Sequence, residues 1–420
     1  MNESRKRIAI VGAGIAGLTV AHRLHPRHDI AVFEAGGYAG GHTNTVRVDL
    51  ADETLHVDTG FIVFNDRNYP NFERLLAELG VEWQPSQMSF GVSDPTGEFE
   101  YCSVSANGLF ATRRHLVSPR FHRMLVEVRR FQREARTLLT RGESDPSLGE
   151  WLEQLRFSRL FIDRLIVPQA SAVWSADPRQ MWAFPARFLL NFFDNHGVLH
   201  LRDRPKWRTV KGGSHTYVDA LTAGFAERIR SGVPVTAIER RGDHVLITPR
   251  GGEPERFDHV ILAVHSDQAL RMLAHPSDRE HEILSAIPYQ PNEAVLHTDR
   301  RLLPRRQRAW ASWNYHLGGE STGRTRVTYH MNRLQSLSAD REFCVTLNRS
   351  EAIDPDRVIE TIQYEHPVYT SAGSRAQRRH AEISGTGRTH YCGAYWGSGF
   401  HEDGVVSALR VCERLGARLA

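Results

Sequence analysis

Residues 7–34 read RIAIVGAGIAGLTVAHRLHPRHDIAVFE, and no other stretch of the chain restricts its fold as severely. An apolar run, Ile8 to Val11, meets Gly12-Ala13-Gly14-Ile15-Ala16-Gly17. A segment of helical period follows, then a second apolar run, Ile30 to Phe33, closed by Glu34 and Ala35. Each glycine has a physical assignment in such a strand–turn–helix–strand unit. Gly12 makes the tight turn, Gly14 lets a pyrophosphate approach the backbone, and Gly17 lets the helix pack against the strand. The helix N-terminus offers unpaired N–H groups and a partial positive charge. Glu34 lies 17 residues after Gly17, where a carboxylate holds the ribose hydroxyls of an adenosine. GxGxxG alone is weak evidence. With a strand before it, a helix after it and the acid in place, the pattern predicts a dinucleotide-binding unit that uses Gly12, Gly14, Ile15, Ala16, Gly17, Glu34 and Ala35.

The segment after the acid, EAGGYAGGHTNTV, carries a second glycine pair, Gly40-Gly41, followed by His42 and a strand-like run. Here the chain resembles the flavin amine oxidase and phytoene desaturase superfamily, in which an acid and a nearby Gly-Gly pair track the pyrophosphate of FAD. That family usually has Arg after the doublet; this chain has His42, read as a pyrophosphate hydrogen-bonder. Further matches follow in the family's order. Asp58-Thr59-Gly60-Phe61 resembles the segment that brings backbone to the flavin ring, and Lys211-Gly212-Gly213 resembles the return of the chain to the FAD domain. Val235 matches the residue whose backbone meets adenine, and Ala263, in FDHVILAVHSDQAL, matches one that faces the cofactor. Near the end, YCGAYWGSGFHEDGVVSAL resembles the segment whose helix points its N-terminus at the flavin, which implies Gly404, Val405 and Val406 under the ring.

The resemblance implies an α/β fold: a GxGxxG Rossmann-type FAD-binding domain with a discontinuous α+β substrate domain, amine oxidase-like. The order of motifs divides the chain into 1–90, 205–290 and 383–420 for FAD, and 91–204 and 291–382 for substrate. Its 420 residues suffice for two lobes. The stretch 115–200 is mostly of helical period, broken by Pro168, Pro178 and Pro185, and 304–326 reads as an exposed loop. His366, before Pro367, reads as marking a loop, and Asn65 and Asn68 read as turn residues.

Composition narrows the partners. No apolar run approaches the roughly 18 residues of a membrane span. Four scattered cysteines without CxxC argue against a disulfide scaffold or a metal site and fit a reducing cytoplasm. Only Lys6, Lys206 and Lys211 are lysines among the 53 basic residues, so the basic charge is almost wholly arginine. It concentrates in 113–141, where Phe121, Met124, Leu125, Val128, Phe131 and Leu138 recur at helical spacing. That pattern describes a surface helix, with peripheral contact to the anionic inner face of the cell membrane as its functional alternative. Nothing accompanies the charge that would read nucleic acid.

Departures from the family pattern bear on the chemistry. Amine oxidases place a Lys near flavin N5 on the first strand of the returning substrate lobe; the matching stretch, YQPNEAVLHTD, has none. The usual acid after the C-terminal glycine is replaced by Ala394. Trp174, Trp182, Phe184, Phe188, Phe192 and Phe193 cluster instead, as a core or as a channel for a long apolar lipid. GGHTNTV, DTGFIVFN, YQPNEAVLHTD, EHPVYT and GFHEDG resemble a bacterial flavoprotein subfamily linked to membrane fatty acid modification, the desaturases of furan fatty acid synthesis. That resemblance implies dehydrogenation of a methyl-branched unsaturated acyl chain, with hydride passing to flavin N5. Candidates for the catalytic base are His401, Glu402, Tyr395 and His297, with Asp403 beside them; a helix cap is the alternative for both acids, a satisfied core residue for His297. Relatives that isomerise fatty acid double bonds, amine or porphyrinogen oxidases, and lipid carriers without redox chemistry share these motifs.

Overall fold

The computed structural model describes residues 5–141, 145–200, 204–318 and 323–416. The apolar run Arg7–Val11 lies at the centre of a five-stranded parallel sheet. It pairs on one side with Asp29–Phe33, which pairs with Ile229–Arg230, and on the other with His259–Leu262, which pairs with Thr389–Tyr391. Strands buried on both faces read as continuous apolar runs rather than alternating ones, and Ile8–Val11 and Val260–Leu262 do so because helices cover both sides. The helix Ile15–Leu24 packs on one face together with the C-terminal helix, His401–Arg414.

A second sheet of seven strands runs in the order Val358–Pro367, Tyr289–His297, Cys344–Leu347, Val327–His330, Trp313–His316, Phe90–Ser93, Glu100–Cys102. All its pairs are antiparallel except Trp313–His316 with Phe90–Ser93. Strands from 289–367 thus join strands from 90–102 across a long helical insertion. That insertion holds the helix Pro119–Arg141, where Phe121, Met124 and Phe131 are buried and the intervening arginines are mostly exposed.

Two expectations for this half are corrected. The segment 304–326 is not an exposed loop, because Trp313–His316 is a largely buried strand inside the sheet; residues 319–322 lie outside the described part. His366 does not mark a loop, because it lies in the strand Val358–Pro367, opposite Gln290. Among the described residues no helix is long and apolar enough to cross a membrane.

Candidate functional site

The glycine turn is built as its sequence requires. Gly12 has φ of 102°, and a Cβ there would meet the Ala263 carbonyl oxygen at 2.6 Å. A Cβ on Gly17 would fall 2.0 Å from the Gly12 oxygen, so helix and turn touch backbone to backbone. Gly14 is different: a Cβ there would have no neighbour within 4 Å, which leaves one side of the turn open. Gly14 bridges Gly40, and Gly41 (φ 61°) passes close to the Gly14 Cα. The Glu34 carboxylate accepts from the Ala13 N–H and the Gly36 N–H, both at 2.7 Å, and so sits at the lip of that opening beside exposed Ala35. Val233 donates to the Glu34 carbonyl and Gly232 to that of Gly36, which brings the approach to Val235 alongside. This donor set, with an open glycine face at a helix N-terminus and an acid at the strand end, fits the adenosine diphosphate part of FAD.

From Gly41 the chain leads to the junction of the two sheets. Gly60 has no room for any side chain, since a Cβ would meet the His42 oxygen at 1.8 Å. Thr59 accepts or donates at 3.1 Å with the Tyr364 hydroxyl, and its N–H goes to the Asn44 carbonyl. His42 itself is buried, and its ring stacks on Tyr364 at 4.9 Å and meets His366 edge-on at 5.3 Å. Its ring is therefore turned to the seven-stranded sheet, a correction to its reading as a pyrophosphate ligand.

Burial lowers the basicity of this whole group: His42 to about 4 and His366 to about 3, each also opposed by its neighbouring histidines. His265 follows Ala263 on the same strand exit and stacks on Tyr289 at 4.3 Å; burial lowers it as well. Its Nδ1 lies 3.6 Å from the Glu365 carboxylate, which is half exposed. Asn292, fully buried, donates to or accepts from His366 Nδ1 at 2.9 Å. His265, His366, Tyr289, Tyr364 and Asn292 escaped the reading of the sequence. A period-2 strand with His at buried positions was the one signal that could have exposed His366.

The four candidate bases fare differently. His401 is buried, stacked on Phe61 at 3.4 Å, with Nε2 at 2.8 Å from the Tyr217 hydroxyl and 2.9 Å from Thr43 Oγ1. Those contacts lock the return segment to the C-terminal helix, and burial holds the ring neutral. Glu402 accepts from the N–H groups of Asn71 and Phe72 and from Asn71 Nδ2, capping the helix Pro70–Glu78 whose own N-cap, Tyr69, supplies no side-chain acceptor. His297 uses both ring nitrogens, one with Thr346 Oγ1 at 2.7 Å and one for the Asp299 N–H at 3.0 Å. All three are committed to structure. Tyr395 alone reaches the junction, edge-on to Tyr289 at 6.4 Å. Asp403 caps its own helix by accepting from the Phe400 N–H at 3.0 Å, and burial raises it to about 6.

The C-terminal segment needs one further correction. Its helix begins at His401, so the amides ahead of the first internal bond are those of His401, Glu402 and Asp403; Gly404 already donates to the Phe400 carbonyl. Gly404 serves close packing, since a Cβ would meet Ile15 Cγ2 at 2.8 Å. The Val405 side chain lies in the core with the parallel sheet, and Val406 is half-buried.

An aromatic wall adjoins the histidine group. Trp174 lies 4.8 Å from Phe192, 5.1 Å from Phe184 and 5.7 Å from Phe188 by ring centroids. Phe188 stacks on Tyr369 at 4.9 Å and Phe192 on Phe400 at 5.1 Å. Trp182 stands apart over Arg159, and Phe193 packs inward toward Phe131. Tyr369 follows the strand end that pairs with Tyr289, so wall and histidines share one edge of the sheet. Among the described residues no group of three metal-ligating side chains occurs.

Comparison with known proteins agrees with this geometry. The profile of the family described as flavin containing amine oxidoreductase matches residues 15–351. The flavin-dependent L-tryptophan oxidase RebO of Lentzea aerocolonigenes is 25% identical over 358 residues, 79% of this chain and 72% of that protein. Two solved structures share the fold at low identity. Cyclohexylamine oxidase from Brevibacterium oxydans superposes with a TM-score of 0.69 at 14% identity, over 98% of this chain and 100% of the other. A CLA-producing fatty acid isomerase from P. acnes does so with a TM-score of 0.69 at 16% identity, over 99% of each chain.

Proposed function

Because the chain belongs to the flavin-containing amine oxidoreductase family, and is an FAD-dependent oxidoreductase, we propose that its substrate is a long apolar chain: a methyl-branched unsaturated acyl group, phospholipid-borne, which it desaturates. One observation carries this reading. The surface beside the cofactor segments is an uncharged wall of Trp174, Phe184, Phe188, Phe192, Tyr369 and Phe400, met by histidines that burial keeps neutral. Each methylene laid against such a wall gains about 0.8 kcal/mol. An ammonium group there would lose several kcal/mol of hydration with no carboxylate among those six side chains to offset it. The fold shared with a fatty acid isomerase adds support, and RebO supports an amino-acid substrate instead.

When bound, FAD supplies the acceptor for the hydride of an allylic C–H bond. The chain's own residues position the acyl group and take the proton that leaves from the adjacent carbon as the double bond forms. His265 suits that role: it is neutral, and the Glu365 carboxylate 3.6 Å from Nδ1 stabilises the imidazolium and opens a route to solvent. Exposed Val117 and Val126, 82% and 69% accessible, lie among the arginines of 113–129 and support contact with an anionic bilayer.

The test is an anaerobic titration of the holoprotein, watching flavin absorbance. Bleaching by phospholipids with methyl-branched unsaturated chains is expected, slowed by about a hundredfold or more in His265→Gln. Bleaching by L-tryptophan or cyclohexylamine, and not by lipid, would replace the reading with amine oxidation. Lipid that binds while the flavin stays oxidised would point to an isomerase or a carrier.

A further inference from the structure

A cleft of about 680 Å3 opens where the helix Ala186–Asn195, the helices Ser371–Arg378 and His380–Ile383, and the C-terminal helix approach one another. Its lining divides by chemistry. Phe188 and Trp396 supply an apolar wall, and Phe188 continues inward because the same ring stacks on Tyr369. The basic part is Arg378, Arg410 and Arg414, against a single carboxylate, Glu413.

The state of these arginines sets the cleft apart from the rest of the surface. Elsewhere arginines pair with acids, as Arg379 does with Glu282 and Glu382 two steps along the same chain segment. Among the described residues neither Arg378 nor Arg410 has a carboxylate within 4 Å, and Arg414 donates to the Ser384 carbonyl. His380 adds no negative charge; its ring is bonded to the Tyr391 carbonyl, and burial and the two arginines of the last helix keep it neutral. Ser374 Oγ is buried in the same lining without a hydrogen-bond partner. Gln377 spans the floor, donating to the carbonyls of Tyr395 and Gly397 at 2.6 and 2.7 Å. It thereby fixes the cleft to the segment that leads into the cofactor-side helix.

We propose that this cleft binds the anionic head, carboxylate or phosphate, of an amphiphilic ligand whose chain runs along Phe188 to the aromatic wall. Guanidinium forks match both heads in charge and geometry, and a half-enclosed site strengthens such pairs over fully exposed ones. What becomes of the chain rests on the acyl-chain reading above; whether the head binds does not.

Calorimetric titration of the holoprotein tests this with dodecanoate, dodecyl phosphate and dodecanol, each below its micelle concentration. At least one of the two acids is expected to bind about tenfold tighter than the alcohol, and the tighter of the two identifies the head. Arg378→Gln and Arg410→Gln should each remove most of that preference while leaving dodecanol unchanged. Arg375→Gln, on the same helix but outside the cleft, should leave it intact. Equal affinity for all three ligands, or a preference that survives both substitutions, overturns the proposal. Head-dependent binding with a flavin that stays oxidised would keep the cleft and remove desaturation; bleaching by lipid that ignores both substitutions would do the reverse.

Discussion

Asp58 offers the sharpest test of how the cofactor segment is held. Its carboxyl is fully buried and receives four donors: the Thr45 hydroxyl at 2.6 Å and the Ser214 N–H at 2.9 Å on one oxygen, the Ser214 hydroxyl at 3.0 Å and Gln335 Nε2 at 2.9 Å on the other. Gln335 returns the contact through its carbonyl, which accepts the Asp58 N–H at 2.8 Å. Burial pushes the acid up to about 7, so at pH 8 the carboxylate is the species present. Asp58→Asn keeps the shape but must turn an NH2 toward two donors. In one orientation it opposes the Ser214 N–H, in the other Gln335 Nε2, and neither of those can accept. One charge-assisted bond is lost and one buried N–H is left unmet, about 3 kcal/mol together. Asp58→Ala abandons all four donors and should cost about 5 kcal/mol. Equilibrium urea unfolding at pH 8, followed by circular dichroism and flavin release, reads both values. The Asn variant should also lose flavin more easily, because Thr59, Gly60 and Phe61 hang from this node. A loss below about 0.5 kcal/mol for Asn would show that the network is not formed as described.

Glu34→Ala should lower flavin occupancy of the purified protein severalfold, since it frees the Ala13 and Gly36 amides as well as removing the ribose partner; full occupancy by absorbance would refute the assignment. Gly404→Leu drives its Cβ into Ile15 at 2.8 Å and should separate the two helices at a cost of about 1–3 kcal/mol, with a shifted or absent flavin spectrum as the readout. Acid should loosen the junction. His42 is lowered from 6.5 to about 4 in the fold, so its contribution is complete above pH 6.5 and disappears as pH falls through 4. His42→Gln should therefore reduce the stability lost between pH 6.5 and 4 by about 3 kcal/mol, and an unchanged pH profile of the urea midpoint would count against a buried neutral ring.

What was legible in the sequence is what is local. The Ile8–Glu34 unit is specified by contacts within one βαβ stretch, where apolar runs, glycines and the acid lie at spacings set by strand and helix geometry. The parallel pairing of Arg7–Val11 with His259–Leu262 could be anticipated only through family order, because no local signal spans 250 residues. Single-residue roles failed for the same reason. Glu402 looks like a cap for its own helix, yet it caps one that begins 331 residues earlier, at Pro70. His401 looks available until Tyr217 and Thr43 arrive from distant segments. His366 looked like loop because Pro follows it, but Pro367 ends an edge strand, where a missing N–H costs little.

These reassignments share a physical logic. Buried charge is tolerated where backbone N–H groups converge, and the start of a helix is such a place. Glu402 and Asp403 are used there, their charge absorbed by the helices beginning at Pro70 and His401. Between the two sheets no such convergence exists, and the titratable groups are histidines whose burial keeps them uncharged. Charge reappears only at the rim, as half-exposed Glu365 beside His265 and as the unpaired Arg378 and Arg410 of the cleft. A site for a small charged amine would concentrate fixed charge where the substrate reacts. This one places neutral rings there and keeps its charges where a proton could leave or an anionic head could stop, the distribution an amphiphilic chain requires.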